Sequence, residues 1–456
     1  MKSFITRKKV WIAIVGVLMA GQSFAQDTTA LSGTVTLEQC ISLAIKNNLT
    51  INQSRFVSES NGVYLMQARG NYLPFISANI NHNLSEGRVI NTTTNSYVTQ
   101  SATYASYSLN INETIWNAGS VRNFVASSKY TNEAGKMDLQ QQKDLISINV
   151  IVAYLQILTY EEQLNAANKQ VASFKEQVDR ANKQMDLGAL LYPSDLNNLK
   201  GNLASAQLTV INAQKALESA KIALTQYLNV PYTQPFEVQK IDDSVTPVTY
   251  DVTSDAIYQQ ALGNLAIIKA GTYRRLSAEK NLLSAKGQMW PTLTFGANAN
   301  SSYASLATDP QGGKIAYPTQ LSNNFGSSFG IGLSIPILNA FQNKGRVQLA
   351  RITLQQRKME EVSNKTALQQ NIQQAYVNVT TGYSAYQSYV DQVTNFTEAA
   401  RIALVRFNEG VTTSVEYTIA KTSADAAALN LISTKYDYVL RTKILDYYQG
   451  KLRFNQ

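Results

Sequence analysis

The chain repeats itself. Ala68-Arg69-Gly70-Asn71-Tyr72-Leu73-Pro74 returns 217 residues later as Ala285-Lys286-Gly287-Gln288-Met289-Trp290-Pro291. Ile115-Trp116-Asn117-Ala118 returns 222 residues later as Ile337-Leu338-Asn339-Ala340, and Gly188 returns as Gly410 at the same offset. Self-similarity on this scale means one supersecondary unit used twice, so any fold proposed for the first half must also suit the second. The expected organisation is a leader over residues 1–25, a first unit over 26–228, a connector over 229–253, a second unit over 254–451 and a short tail over 452–456.

Each unit opens with a helical stretch, about 36–71 in the first copy and 254–288 in the second. Leu37, Ile41, Ala44, Ile45 and Leu49 fall at helical spacing, and Thr36 with Glu38 supplies a cap and an acidic first turn. Each unit closes with a long helix, about 118–187 in the first copy, a turn from Gly188 to Pro193, and a return helix to about Leu228. Leu164, Val171, Val178 and Met185 recur every seven residues, interleaved with Ala167, Phe174 and Ala181. The return helix carries Leu196, Leu199, Leu203, Ala206, Val210, Ala213, Leu217, Ala220, Leu224 and Tyr227, alternating three and four, and the second copy keeps eight of the ten positions apolar, with Thr434 and Arg441 as interruptions. These are coiled-coil seams. The connector carries Pro231, Pro235 and Pro247 and is expected to pack as an ordered segment on the outside of the helices.

Between the helices the period changes to two. Ile76, Ala78, Ile80, His82 and Leu84 alternate with Ser77, Asn79, Asn81 and Asn83, and Tyr107, Leu109 and Ile111 alternate with Ser108, Asn110 and Asn112. In the second copy Leu293, Phe295, Ala297 and Ala299 alternate with Thr294, Gly296, Asn298 and Asn300, and Phe329, Ile331 and Leu333 alternate with Ser328, Gly330 and Gly332. Four strands are therefore expected, at about 73–84, 102–115, 291–301 and 325–336. Each is about ten residues with one apolar face and one small, uncharged polar face, the signature of a transmembrane barrel strand. On that reading Asn79, Asn81, Asn110, Asn112, Asn298 and Asn300 line the barrel lumen, and Trp116 and Trp290 stand at a membrane interface. The segments 85–100 and 302–324, rich in Asn, Thr, Ser and Gly, read as surface loops.

Composition narrows the function classes. With 44% hydrophobic and 16% charged residues the chain can pack a core. One cysteine, Cys40, and one histidine, His82, leave little with which to build a Cys/His metal cluster or nucleophile pair, so no enzyme, cofactor or metal site is expected. Cys40 is expected to pack in the first helix, and His82 to sit among lipid-facing or rim residues. Gly330-Ile331-Gly332 reads as strand, since no helix opens after it. Lys2, Arg7, Lys8 and Lys9 precede the apolar run Val10–Ala20 and the small-x-small triplet Ser23-Phe24-Ala25, which reads as a secretory signal cut before Gln26. Its removal takes four positive charges from the formal +9, and an exported chain gains little from affinity for nucleic acid. No later segment reaches 18 consecutive apolar residues, so a membrane form must be a barrel.

Four strands cannot close a barrel, because about eight is the smallest number with a filled interior. Open edges in lipid leave backbone groups unpaired at several kcal/mol each, so other copies of the chain must complete the sheet. Two copies would give eight strands and three would give twelve; the arithmetic alone does not choose. A helix of about 70 residues spans ~100 Å. The short first helix and the return helix sum to nearly that length, so they can stack end to end beside the long one.

The leader, Thr36-Leu37-Glu38-Gln39 with Asn47-Asn48, Ala68-x-Gly70-x-x-x-Pro74, and the paired hairpins at Gly188 and Gly410 resemble the TolC-type outer-membrane efflux family over residues 36–451. The resemblance implies a mixed fold, a membrane β-barrel continued by a long α-helical coiled-coil tunnel, with the barrel shared by a homotrimer in the outer membrane of a Gram-negative bacterium and the helical part in the periplasm. It implies a passive exit duct of a tripartite efflux or type I secretion system. The tips, Gly188, Leu190, Leu191, Gly410 and Val411, would meet a periplasmic adaptor (membrane fusion) protein, which couples to an inner-membrane pump of RND, ABC or MFS type. Glu416 matches an acid that rings the closed entrance in family members, Asp195 matches its first-repeat equivalent, and a second acidic position is Ile419 here. Both acids also sit where a helix start stabilises negative charge. The competing expectation is an exported structural or adhesive coiled-coil surface protein, with a small soluble sheet and no channel.

Overall fold

The computed structural model describes residues 31, 33–91, 95–186, 193–240 and 249–452. The expected leader, the first-hairpin residues Gly188, Leu190 and Leu191, and nearly all of the tail lie outside the described residues.

Helices α1 (Leu37–Asn47) and α2 (Leu49–Gly70) occupy the stretch expected as one helix. The break is chemical. The Asn48 side chain accepts from the N–H groups of Thr50 (2.9 Å) and Ile51 (3.3 Å), capping α2, while its amide donates to the Tyr227 carbonyl (2.9 Å). A side chain held at three points cannot continue α1. The first turn of α1 is fixed by a reciprocal capping box between Thr36 and Gln39. The second copy breaks at the equivalent place, giving α5 (Ser254–Asn264) and α6 (Ala266–Gly287) around an extended Leu265.

The long helices are α3 (Ser120–Asp186) and α8 (Gln342–Asn408), and the return helices are α4 (Pro193–Leu228) and α9 (Ser414–Tyr448). Helix α3 packs against α2, α4, α6 and α9, and α8 packs against α6 and α9. The helices therefore form four lanes side by side: α2 over α4, then α3, then α6 over α9, then α8. In the first lane 11, 22 and 36 residues stand beside the 67 of α3, and in the third 11, 22 and 35 stand beside the 67 of α8. The end-to-end stacking expected from the lengths is the observed arrangement.

The seams bury most of the expected residues, although Met185, near the end of α3, is exposed. Ala167, Phe174, Val178 and Ala181 of α3 are covered, as are Leu196, Leu199, Ala206, Leu217, Ala220 and Leu224 of α4. Arg441 interrupts the α9 seam because it lies over Gly382 of α8, where a side-chain Cβ would come within 3.5 Å of its Cδ. Its charge is met by Asp437 at 2.5 Å. Halfway along the lanes a waist forms. Strand β1 (Gly33–Val35) pairs in parallel with β6 (Phe236–Val238) of the connector, and both lie on a core of Cys40, Ile41, Tyr154, Leu158, Leu224 and Leu228. The Tyr154 hydroxyl donates to the Val35 and Gln239 carbonyls (3.1 and 2.7 Å), clamping this sheet to α3. Cys40 is fully buried there, and burial, with Glu38 adding to it, pushes its thiol up to about 12.

The four expected strands form one antiparallel sheet. Strands β2 (Phe75–Ser85), β5 (Ala102–Trp116), β7 (Thr292–Ala304) and β8 (Gly326–Ser334) run in the order β2-β5-β7-β8, each continuing one helical lane. A small hairpin, β3 (Arg88–Asn91) with β4 (Ser96–Thr99), stands between β2 and β5. Helix α7 (Tyr317–Asn323) flanks the upper end of β7, beyond the start of β8, with Gln320 bonded to both backbone groups of Ala304. Both features fall in segments expected to be plain loops. They are short and lack a periodic apolar face, so the sequence pattern does not reveal them.

Candidate functional site

Two places carry the predicted functional residues: the sheet and the second hairpin tip.

Residues directly opposite across an antiparallel ladder share a face. Ile76 stands opposite Ile111, Ala78 opposite Leu109, Phe295 opposite Ile331, and Ala297 opposite Phe329, so one face of the sheet is predominantly apolar, with Glu113, opposite Phe295, its one acid. That face is bare: Ile80 is 72% exposed, Phe329 84% and Ile331 70%. The other face aligns Ser77, Asn110, Asn298 and Ser328 in one row and Asn79, Ser108, Asn300 and Gly326 in the next. All six predicted asparagines lie on it, with Asn81 opposite Ser106 and Asn112 opposite Gly296. Asn298 donates to Asn110 Oδ1 at 2.7 Å, so the amides form cross-strand links. The strands β2 and β8 at the two edges have no partner on their outer sides among the described residues.

Aromatic residues mark both ends of the apolar face. At the helical end Trp116, on the apolar face opposite Leu293 beside a β-bulge, is 48% exposed, and Trp290 is 61% exposed. At the far end Tyr107 and Tyr317 share a hydroxyl–hydroxyl bond, and the rings of Tyr303 and Tyr317 lie 4.8 Å apart. From Tyr107 to Trp116 the strand runs ~30 Å. Tilted as in a barrel, this matches an apolar band ~25 Å tall between two aromatic girdles. His82 is exposed on the apolar face.

At the second tip, Gly410 ends α8 with φ +72°. Its N–H donates to the Phe407 carbonyl (3.0 Å) and that of Val411 to Arg406 (2.9 Å), a Schellman closure that needs the left-handed residue. Val411 is 67% exposed at the apex. Thr413 caps α9 by accepting from the Glu416 N–H. The Glu416 carboxylate, half exposed, accepts from Arg406 Nη1 at 3.0 Å and from the Thr412 hydroxyl. This bridge across the hairpin was invisible in the sequence, because its partners lie ten residues apart around a turn with no periodic signature.

Asp195 sits differently from the expectation of a constriction residue. It is buried at 9% exposure, and its Oδ1 accepts from Ser414 Oγ at 2.5 Å, with Ser414 fully covered. Asn202 donates to Thr418 at 3.0 Å, and the Phe407 and Tyr417 rings stack at 5.9 Å beside them. Asp195 thus ties the two return helices of one chain together instead of presenting its charge to solvent. The physical reason is that α4 and α9 bring their first turns to the same level against α3, which encloses a carboxylate placed there.

Above the waist the lanes are joined by charge. Arg274 makes a two-point contact with Asp138 (2.6 and 2.7 Å), and Arg275 bonds Glu361 (2.6 Å), which also accepts from Lys365 (2.9 Å). Burial raises the Glu361 pKa, but the bonds from Lys365 and Arg275 outweigh it and hold the carboxyl below its ordinary value. Among the described residues no helix is long and apolar enough to cross a membrane.

Comparison with known proteins agrees with this architecture. Residues 40–230 and 257–447, one stretch in each repeat, match the family model described as outer membrane efflux protein. No curated protein sequence matches the chain. Solved structures do: CusC, in a study of folding and transmembrane channel formation, superposes with a TM-score of 0.74 at 18% identity, covering 94% of this chain and 96% of its own. The outer membrane protein VceC of Vibrio cholerae gives 0.77 at 14% identity, covering 91% and 96%. The Campylobacter jejuni CmeC outer membrane channel gives 0.75 at 17%, covering 96% and 92%. Four helical lanes, a four-stranded sheet and a family match in each of two repeats place this chain in the outer membrane efflux protein family.

Proposed function

We propose that three copies of the chain join edge to edge, β8 of one beside β2 of the next, to close a twelve-stranded barrel continued by a helical tunnel, and that the assembly is a passive exit duct. The observation that carries the reading is the sheet: two unpaired edges, one bare apolar face and one asparagine-lined face. Edges in lipid must be paired, and further copies of the same chain supply matching strands. The helical edges support the same join. Phe56, Tyr64 and Met66 on α2, and Leu349, Met359 and Val362 on α8, are exposed at the two ends of the lane order.

In this reading the apolar face meets outer-membrane lipid and the six asparagines line the lumen. The helices project into the periplasm of a Gram-negative cell. The tips, with Val411 at an apex, dock a periplasmic adaptor that couples the duct to an inner-membrane pump of a tripartite efflux or type I secretion system. Glu416 belongs to the entrance constriction, where threefold-related carboxylates focus negative potential. Its bond to Arg406 trims that charge within each chain, and Ile419, 63% exposed, leaves the next position neutral. Asp195 holds the constriction's helices in register from behind.

The test is the mass and bilayer conductance of the leader-cleaved protein extracted in detergent. A trimer with discrete channel events is expected, with divalent-cation block altered in Glu416→Ala. A water-soluble monomer without conductance would overturn the duct, and unaltered block in a conducting trimer would remove Glu416 from the constriction.

A further inference from the structure

Charge is distributed unevenly along the lanes. No Asp or Glu occurs in residues 60–85, 114–132, 280–308 or 310–359, runs that carry β2, β7, β8 and the adjoining helix ends, and the one acid of the four strands is Glu113 of β5. Basic residues do occur at those ends. Arg69 and Lys286 lie in the last turns of α2 and α6, Arg122 in the first turn of α3, and Lys344 and Arg346 in the first turns of α8, followed by Arg351. All six are exposed, and none forms an ion pair among the described residues.

Helix dipoles account for part of this pattern only. A cation in a last turn is favoured, which suits Arg69 and Lys286. In a first turn it is disfavoured, and four helix starts away from the sheet carry an acid there, Glu38 in α1, Asp195 in α4, Asp255 in α5 and Glu416 in α9, while α2, α6 and α7 carry none. The two helices that start beside the sheet have no acid in the first turn. Cations there are unfavourable for the helix itself, and at this level they are gathered from four helix ends with no ion-pair partner among the described residues.

The same level carries apolar anchors. Ile337 is 92% exposed, Leu338 82% and Phe341 71%. Phe341 holds a left-handed φ of 62° where the first repeat has Gly119 at 74°, a conformation unfavourable for an aromatic residue. Its ring has Lys344 Nζ 5.9 Å from the centroid, and Arg346 donates to Gln288, two residues from Trp290, at 3.1 Å. Aromatic anchors followed at once by exposed basic groups are what a leaflet of anionic phospholipid accommodates, with rings at the headgroup level and cations among the phosphates.

We infer that Arg69, Arg122, Lys286, Lys344, Arg346 and Arg351 form a cationic collar that binds anionic phospholipid headgroups of the leaflet facing the helices. The inference rests on the reading that the sheet spans a membrane. A basic side chain near an anionic surface contributes a factor of about five in affinity, so three together contribute on the order of a hundredfold.

The leader-cleaved chain keeps only Trp116 and Trp290, both at this level, so its fluorescence reports the collar. Short-chain phosphatidylglycerol and short-chain phosphatidylcholine are titrated into the full protein in neutral detergent. The glycerol lipid is expected to bind tens- to a hundredfold more tightly at low salt, with the preference falling as salt rises. The triple variant Lys344→Gln, Arg346→Gln, Arg351→Gln, its helicity checked by circular dichroism, is expected to lose most of that preference. Equal affinities in the native protein, or an undiminished preference in the variant, would overturn the collar. So would an unchanged lipid preference joined to a changed ion selectivity, which would place the charges in the lumen. Failure of the membrane reading shows separately, as a protein that needs no detergent.

Discussion

The sheet and the waist are built from the same residue types placed oppositely. In the waist Leu224, Leu228 and Ile157 are fully enclosed by their own chain, whereas Phe329, Ile331 and Ile80 of the sheet stand open. Burying a large aliphatic side chain is worth ~1.5–3 kcal/mol, so the waist is stabilised from within, and the sheet gains the same only when something else covers it. The difference teaches that exposure of a large apolar residue is informative when it is periodic. Single exposed leucines are ordinary, but a face of them backed by a face of asparagines identifies the missing solvent.

The comparison can be broken at either end. The largest effect is expected for Leu224→Ala, which opens a cavity in a core that cannot call on lipid to fill it. It should cost ~2–5 kcal/mol, read as a lowered denaturation midpoint of helicity, and an unchanged midpoint would mean the waist is not the internally stabilised part. Ile331→Arg should cost ~2–4 kcal/mol, but only in a bilayer. Insertion into lipid vesicles should fall while waist stability in detergent stays as it was, and equal insertion would mean that this face does not meet lipid. The smallest effect is at the tip. Asp195→Ala leaves the enclosed Ser414 hydroxyl unpaired at ~1–3 kcal/mol. Faster amide exchange at the start of α9, with the waist unaffected, is expected; protection equal to the native protein would show that the Asp195–Ser414 bond does not hold the return helices together.

What could be read from the sequence follows from how local each signal is. Period-two alternation assigns faces without knowledge of partners, so the strands and the shared face of the six asparagines were legible. The seams were legible for the same reason, since three-and-four spacing fixes which side of a helix is covered. The break at Asn48 was not, because it depends on Tyr227, 179 residues away, and the enclosure of Asp195 depends on Ser414, 219 residues away. The β1–β6 pair escaped because three-residue strands are too short to display a period. At the tip, the family resemblance pointed to Glu416 but not to its partner Arg406, since a bond across a hairpin follows the turn's geometry and not a repeat.

The stacked lanes have a further consequence, familiar from masonry. Two of the four walls are each built of three helices, and the walls beside them run unbroken past the joints, as in staggered brickwork. The arrangement fixes the count of residues. Deleting one residue from α4 would draw its lower part up by ~1.5 Å and rotate it by ~100°, turning every seam residue below the cut away from α3. Within the seams, lengths can therefore change only in whole seam repeats.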